Sequence, residues 1–465
     1  MAMKPLRIDP PVREVRSLPD ALFSKLAWLV GCLAVLFLLS ALNSAYAVPS
    51  FKRQTGMSCS ACHTVFPELT PFGRSFKING YVFSNNTKPF AERIPVAAVI
   101  QVSYTEQKGL DNRVDPFDDS PTAKFNVPQQ ASIFYAGKIA GNFGAFSQLT
   151  YNGVDNSISL DNTDLRYADN IDIGGTPLVY GVTINNNPTV SDAWNTTPAW
   201  GFPYASSAVA VTPAAGTIID GALAQQVGGI GIYAFWNHML YAEAAVYGST
   251  DRGIARPLGA GTTTDTVVSG AVPYGRLALQ LQSGAHSLEV GTYGLAADIY
   301  PSGLTSGPTD RFTDYAFDGQ YQFISGKHLF TAQGTWIHEK QDWDASFPLG
   351  NTANSSDNLE TWKINLSYHY RADFGTLGGT VAFFSTTGDS DPGLYAPEAL
   401  TGSSTGSPDS NGLILQAAYL PMENLKIVAQ YVLYDKFNGA STNYDGSGRD
   451  ASDNNTFYLL VWMAF

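Results

Sequence analysis

The feature that most constrains this chain is a repeated alternation. From about residue 93 to residue 465 it runs apolar, polar, apolar, polar in stretches of about ten residues, broken by turn-forming residues. Trp362-Lys363-Ile364-Asn365-Leu366-Ser367-Tyr368-His369-Tyr370 is one such stretch, and Leu425-Lys426-Ile427-Val428-Ala429-Gln430-Tyr431 is another. Side chains alternate across a strand, so each stretch has one apolar and one polar face. A soluble sandwich also alternates, and the pattern alone leaves both open. Sixteen strands can be read between 94–106 and 455–465, an even number, as in closed bacterial barrels.

The connections sort into two classes. Tight turns fall at Gly141-Asn142, Gly174-Gly175, Asn237-His238, Gly284-Ala285, Gly326-Lys327, Asp373 and Met422-Glu423. Long polar loops fall near 107–126, 187–224, 250–272, 301–310, 342–358, 387–411 and 436–454, with a short one near Asp155. Short turns at one end and long loops at the other are the arrangement of an outer-membrane barrel; a sandwich has no reason to sort its loops. Phe457, Leu459, Val461, Met463 and Phe465 share one face of the final stretch. An apolar last strand ending in Phe is the pattern that outer-membrane assembly machinery reads. The expected fold class is all-β, a 16-stranded antiparallel outer-membrane β-barrel surrounded by outer-membrane lipid. Only 14% of the residues are charged, and the net charge is -13. That balance argues against nucleic acid as a partner and for a surface that attracts cations.

Ahead of the barrel the chain reads as an export leader. Lys4, Arg7, Arg13, Arg16 and Lys25 make a basic region, Leu26 to Leu39 is an uncharged apolar run, and Ala45-Tyr46-Ala47 is an A-x-A cleavage site. The run is short of the roughly 20 residues that a membrane-spanning helix needs. Leu29-Val30-Gly31-Cys32 imitates a lipoprotein box, but the apolar run continues past it, so the A-x-A site is the better reading. The expected division is 1–47 signal peptide, 48–92 a monohaem cytochrome c segment, and 93–465 the transmembrane barrel.

The middle assignment rests on Cys59-Ser60-Ala61-Cys62-His63, a C-x-x-C-H motif. Two thiols must reach the two vinyl groups of one porphyrin, and the next residue must present an imidazole to the iron. A helical turn from Cys59 to His63 does this. One covalent haem c is therefore expected on Cys59 and Cys62, with His63 as the proximal iron ligand. A disulfide or a thioredoxin-like dithiol are the alternatives. The first would close too short a loop to stabilise much, and the second needs a βαβ context that does not follow. The segment is short for a free-standing cytochrome, so the barrel lumen should supply the rest of the pocket. An even strand number puts the segment on the periplasmic side, as a helical plug entering the lumen from below.

Arg53-Gln54-Thr55-Gly56-Met57-Ser58-Cys59 through His63, then Pro67, then Phe72-Gly73-Arg74-Ser75-Phe76-Lys77-Ile78-Asn79-Gly80-Tyr81, resembles the fused monohaem cytochrome–porins of the outer membrane. Asn186-Asn187-Pro188-Thr189 and Trp194-Asn195-Thr196-Thr197-Pro198-Ala199-Trp200 extend the resemblance into the third long loop. The best-known members are outer-membrane ferrous-iron oxidases. The resemblance implies an electron conduit: an extracellular donor such as Fe(II), the haem, and a periplasmic cytochrome or cupredoxin as acceptor. A haem-plugged porin, or a surface binding barrel whose C-x-x-C is a disulfide, are the alternatives.

Other roles follow from position. Arg74 and Lys77 are candidates to pair with haem propionates. His369 shares the polar face of its strand with Lys363, Asn365 and Ser367 and lies near a short turn, which makes it the distal-ligand candidate; Met57 is another. Arg371 shares that face. Acidic loops carry Asp111, Asp115, Asp118 and Asp119, then Asp342, Asp344 and Asp357, then Asp445, Asp450 and Asp453. They would concentrate Fe(II), or simply serve solubility.

Overall fold

Alternation of this kind leaves each strand one face for water or a plug and one for lipid, and closing the sheet leaves no edge unpaired. In the computed structural model the described residues are 50–82, 94–110, 121–249 and 266–465. The leader and Asp111, Asp115, Asp118 and Asp119 lie outside them. Sixteen long antiparallel strands follow in chain order: β1 Val96–Lys108, β2 Pro121–Ala140, β3 Phe143–Asn152, β4 Ser157–Ile173, β5 Thr176–Asn185, β6 Val227–Trp236, β7 Leu240–Ser249, β8 Val272–Ser283, β9 His286–Tyr300, β10 Asp310–Ser325, β11 His328–Asp342, β12 Ser356–Ala372, β13 Gly375–Gly388, β14 Ser410–Met422, β15 Leu425–Lys436 and β16 Thr456–Ala464. Each pairs with the next, and β1 also pairs with β16 from Val99↔Ala464 to Gln107↔Thr456, which closes the barrel. A two-residue strand, Val267–Val268, pairs with the end of β9. β2 begins at Pro121, earlier than the expected 127, because Thr122 to Asn126 continue the register against β1.

β12 shows the two faces. Trp362 is 44% exposed and Leu366 50%, whereas Asn365 and His369 are each 6% exposed. Ile232, Leu277, Val290, Phe317 and Val381 also stand on the outer surface. A soluble monomer does not expose apolar area on this scale, and lipid accommodates it. Among the described residues no helix is long and apolar enough to cross a membrane; the strands do the crossing. At 16 and 17 residues, β10 and β12 exceed the roughly 9–11 that a span needs, so they run on into the long-loop end. Tight turns hold the other end. Gly174 and Gly175 both take positive φ, as do Asn237 and His238, the twist that two-residue hairpins require.

The connection between β5 and β6, expected from the sequence as a long polar loop at the rim, instead turns into the lumen. Val190, Ala193, Trp194 and Thr197 in it are at most 1% exposed. Trp194 packs against Tyr233, Phe235, Tyr241 and Ala278 of the barrel wall and Ile78 of the N-terminal segment. That segment also sits inside, as three short helices: α1 Ser50–Thr55, α2 Cys59–Cys62 and α3 Pro71–Ile78. Plug and loop together fill the lumen beside the short-turn end.

Candidate haem site in the barrel lumen

α2 is a single turn that could not persist alone, and every tie that fixes it comes from its neighbours. The Glu423 carboxylate, on the β14–β15 turn, accepts the Cys59 N–H at 3.2 Å and the Ser60 hydroxyl at 2.9 Å, and Lys52 donates to it at 3.4 Å. The Thr70 N–H donates to the Cys62 carbonyl at 2.9 Å, and its hydroxyl to the Ala61 carbonyl at 2.6 Å. Thr70 is also the N-cap of α3, accepting the Gly73 N–H at 3.1 Å, with Pro71 at the first helical position. One residue joins both helices. Gly73 lets α3 lie on α2: a Cβ there would be 2.1 Å from the Cys62 carbonyl oxygen.

Cys59, Cys62 and His63 border one cavity of about 430 Å³. Its walls include Phe51 and Phe66 from the plug, Phe134, Phe146 and Trp462 from strands, and Trp200 from the inward loop. A smaller void of about 130 Å³ behind it touches Cys62, His63, Gly73 and Trp200. Both cysteines are free thiols. Burial, and for Cys59 the Glu423 carboxylate next, pushes each up to about 11. A redox dithiol works through a lowered thiol pKa, so this environment suits a capped thiol better than an exchanging one.

The half-buried His63 ring lies with Nδ1 at 3.2 Å from the Pro67 carbonyl. A carbonyl only accepts, so Nδ1 carries the hydrogen and Nε2 keeps a free lone pair. Iron-ligating and other metal-ligating histidines are set in this way. The residues therefore fit a c-type haem on three counts: two thiols and an imidazole on one wall, an apolar cavity beside them, and a fixed tautomer.

Arg74 does not face that cavity. It is 1% exposed and donates to Gln280, Gln320 and Gln322 side chains, the Ser287 hydroxyl and the Leu69 carbonyl at 2.6–3.2 Å. Its guanidinium is spent on pinning α3 to the wall. Lys77 touches the smaller void, but its ammonium donates to the carbonyls of Val190 and Asp192 at 2.7 and 2.6 Å and lies 4.6 Å from the Trp200 ring centre. Neither is placed for a propionate; Lys52 is the cation on the larger cavity's wall.

His369 points into the lumen, as its parity indicates. It borders a separate small void with Val65, Glu68, Tyr204 and Lys426, and the stretch 65–68 stands between it and the haem-side cavity, which Phe66 and Pro67 line. Met57 is exposed and off the cavity wall. Arg371 donates to the His63 carbonyl at 3.4 Å. Sequence reasoning missed Glu423, Thr70 and Tyr204; nothing in a single polar turn residue marks it as the partner of a motif more than 350 residues away in the chain.

The loop carboxylates are largely occupied. Asp357 accepts Trp343 Nε1 at 2.7 Å, Asp445 accepts the Ser447 and Leu400 N–H groups, Asp453 pairs with Lys108 at 2.9 Å, and Asp450 caps a short helix. Among the described residues no group of three or more His, Cys, Asp or Glu is arranged to hold a metal ion.

Strand number, closure and sorted connections make this a porin-like barrel with a plugged lumen. No family model matches the chain, and no curated protein sequence matches it. Solved structures similar to it include OmpT of Vibrio cholerae with loop L8 deleted, 11% identical with a TM-score of 0.42 over 80% of this chain and 98% of that one. The outer membrane channel DcaP of Acinetobacter baumannii is 12% identical, with a TM-score of 0.43 over 80% and 96%. An anion-selective porin from Comamonas acidovorans is 11% identical, with a TM-score of 0.42 over 80% and 98%. Likeness at this level carries nothing about function.

Proposed function

We propose that this chain is an outer-membrane electron conduit of the monohaem cytochrome–porin kind. It would take electrons from an extracellular donor, Fe(II) being the favoured one, and deliver them to a periplasmic cytochrome or cupredoxin. The single observation that carries the reading is that Cys59, Cys62 and His63 border one largely apolar cavity inside a closed barrel. A c-type haem bound there supplies one-electron chemistry, its potential set by axial ligand, burial and hydrogen bonding. The chain's own residues do the rest. Glu423 and Thr70 hold the motif, Pro67 sets the His63 tautomer, and Trp200, Phe134 and Phe146 supply apolar wall to the cavity. The apolar exterior supports placement in a bilayer, and short turns facing the periplasm would put the motif on the acceptor's side.

An anaerobic Fe(II) titration of the purified protein, followed by its visible spectrum, is the test. Haem bands that sharpen to the reduced form as Fe(II) is added are expected. Covalent haem that Fe(II) leaves oxidised would make the protein a haem-plugged porin, and no haem at all would leave a surface binding barrel whose C-x-x-C forms a disulfide. His369 as distal ligand belongs to the same proposal. It would reach the iron only if residues 65–68 gave way. A six-coordinate spectrum that turns high-spin in His369→Ala supports ligation; an unchanged spectrum makes His369 a lumen-lining residue.

A further inference from the structure

Two carboxylates face each other on the lumen wall well away from the cysteines. Asp314 on β10 and Glu339 on β11 are register partners, 3% and 0% exposed, and within hydrogen-bonding reach of each other. Among the described residues neither forms an ion pair, and Asp220, one residue past Ile219, is paired with Lys363 at 2.5 Å. The imidazole of His338 lies on the other face of β11, beside Glu360. Two buried like charges in such contact need something positive between them.

The inward loop comes down on this pair. The Ile219 N–H donates to Asp314 Oδ2 at 2.8 Å, and the Ile218 N–H donates to Glu339 Oε2. Gln341 donates its amide to Glu339 Oε1 at 2.6 Å. Three buried oxygens in this network of residues nevertheless have no hydrogen-bond partner: Asp314 Oδ1, the Gln341 amide oxygen and the hydroxyl of Thr217, which precedes Ile218. Asp314, Gln341 and Thr217 are 3%, 4% and 1% exposed, so water in bulk does not serve them, and a buried polar atom left unpaired is costly. A proton shared by the carboxylates would satisfy one acceptor and leave the others. A hard divalent cation satisfies several oxygens together and cancels the repulsion.

We infer that Asp314 and Glu339, with the Gln341 amide oxygen and the Thr217 hydroxyl, form an all-oxygen site for one divalent cation that clamps the inward loop to the barrel wall. Two of the four donors are neutral and the site lies under a loop, a donor set that suits Mn²⁺, Ca²⁺ or Fe²⁺ over the thiolate-preferring metals. The position matters for access. Lys363, bonded to Asp220 of the same turn, lines a void of about 100 Å³ with Pro198, Gly201 and Pro203, and these three also line the haem-side cavity. Asp220 follows Ile219, whose N–H bonds to Asp314, so the proposed site lies next to the residue that holds Lys363 at that void. Use of the site by a ferrous donor rests on the electron-conduit reading; the cation site itself does not.

The probe is Mn²⁺, which favours oxygen ligands and is read by electron paramagnetic resonance without redox change. The full-length protein in detergent should bind roughly one Mn²⁺ per chain, and the haem-free Cys59→Ala/Cys62→Ala chain should bind it equally. That second arm separates failure of the site from failure of the haem assignment. D314N/E339Q should lose the bound signal, and T217V, which keeps both carboxylates, should weaken binding about tenfold. Heat-modifiable gel migration checks that each variant is a folded barrel. Absence of stoichiometric Mn²⁺ on the wild-type chain, or binding by folded D314N/E339Q as tight as wild type, overturns the site in favour of a shared proton.

Discussion

Replacing Cys59 and Cys62 together by Ala is expected to abolish haem staining on denaturing gels while a folded barrel still accumulates in the membrane. The covalent link needs at least one sulfur: with both gone no thioether forms. The fold should tolerate the change because the ties that shape α2 are made by other atoms. His63 N–H bonds to the Cys59 carbonyl and Thr70 N–H to the Cys62 carbonyl, both at 2.9 Å, and Glu423 accepts the Cys59 N–H. All of these survive in Ala, and neither thiol is in a disulfide. Ala is also the better helix former. The cost to stability is the loss of two half-buried sulfur contacts, about 1 kcal/mol each, against a sixteen-strand ladder that closes on itself. The single variants should each lose most of the stain. A haem-staining band that persists in the denatured double variant would remove the thioether assignment, and with it the electron-conduit reading.

The barrel was legible because alternation, connection length and strand count are independent signals that converge. Period-2 patterning places Trp362 outside and Asn365 inside with no tertiary information, and two-residue turns announce themselves through Gly174-Gly175. The C-x-x-C-H motif was legible because it is local: five consecutive residues hold both thiols and the imidazole. What the sequence hid is long-range. The inward course of residues 187–226 rests on contacts far apart in the chain, such as buried Asp192 finding Arg276 across the lumen, and a polar loop that will bury itself looks like one that will not. Trp194 and Trp200 were the available hint, since two large aromatics are poorly used in a loop exposed to water. Arg74 was misplaced for a related reason. An arginine 11 residues after His63 suggested a propionate partner, yet Gln280, Gln320, Gln322 and Ser287 line the wall where its guanidinium lands. Strand parity put His369 in the lumen but carried no information about depth or about the segment 65–68 in front of it.

Arg276→Ala should open the lumen. Arg276 on β8 is the cation at which three carboxylates meet: Nη2 lies 2.7 Å from Asp318, 3.2 Å from Asp192 and 3.3 Å from Glu289, all with side chains at most 1% exposed. Asp192 is the loop's contribution. Its two oxygens also accept the N–H groups of Trp194, Thr196 and Thr197 at 3.0–3.3 Å, so it folds the loop and anchors it at once. The guanidinium further lies 5.3 Å from the Trp194 ring centre and 5.5 Å from Tyr293. Removing it leaves three buried carboxylates without the guanidinium that pairs them, and breaking a buried pair in this way costs about 3–5 kcal/mol. The barrel ladder does not depend on Arg276, so the cost falls on the part that can leave, the loop over 187–226. The expected result is a folded, heat-modifiable barrel whose single-channel conductance in planar bilayers rises well above that of wild type, with new protease cleavage near Trp194. Arg276→Lys keeps the charge without the planar fork and should fall between the two. If Arg276→Ala conducts no better than wild type and its loop stays protected, the loop is held by packing around Trp194 alone and the ion cluster is incidental to the plug.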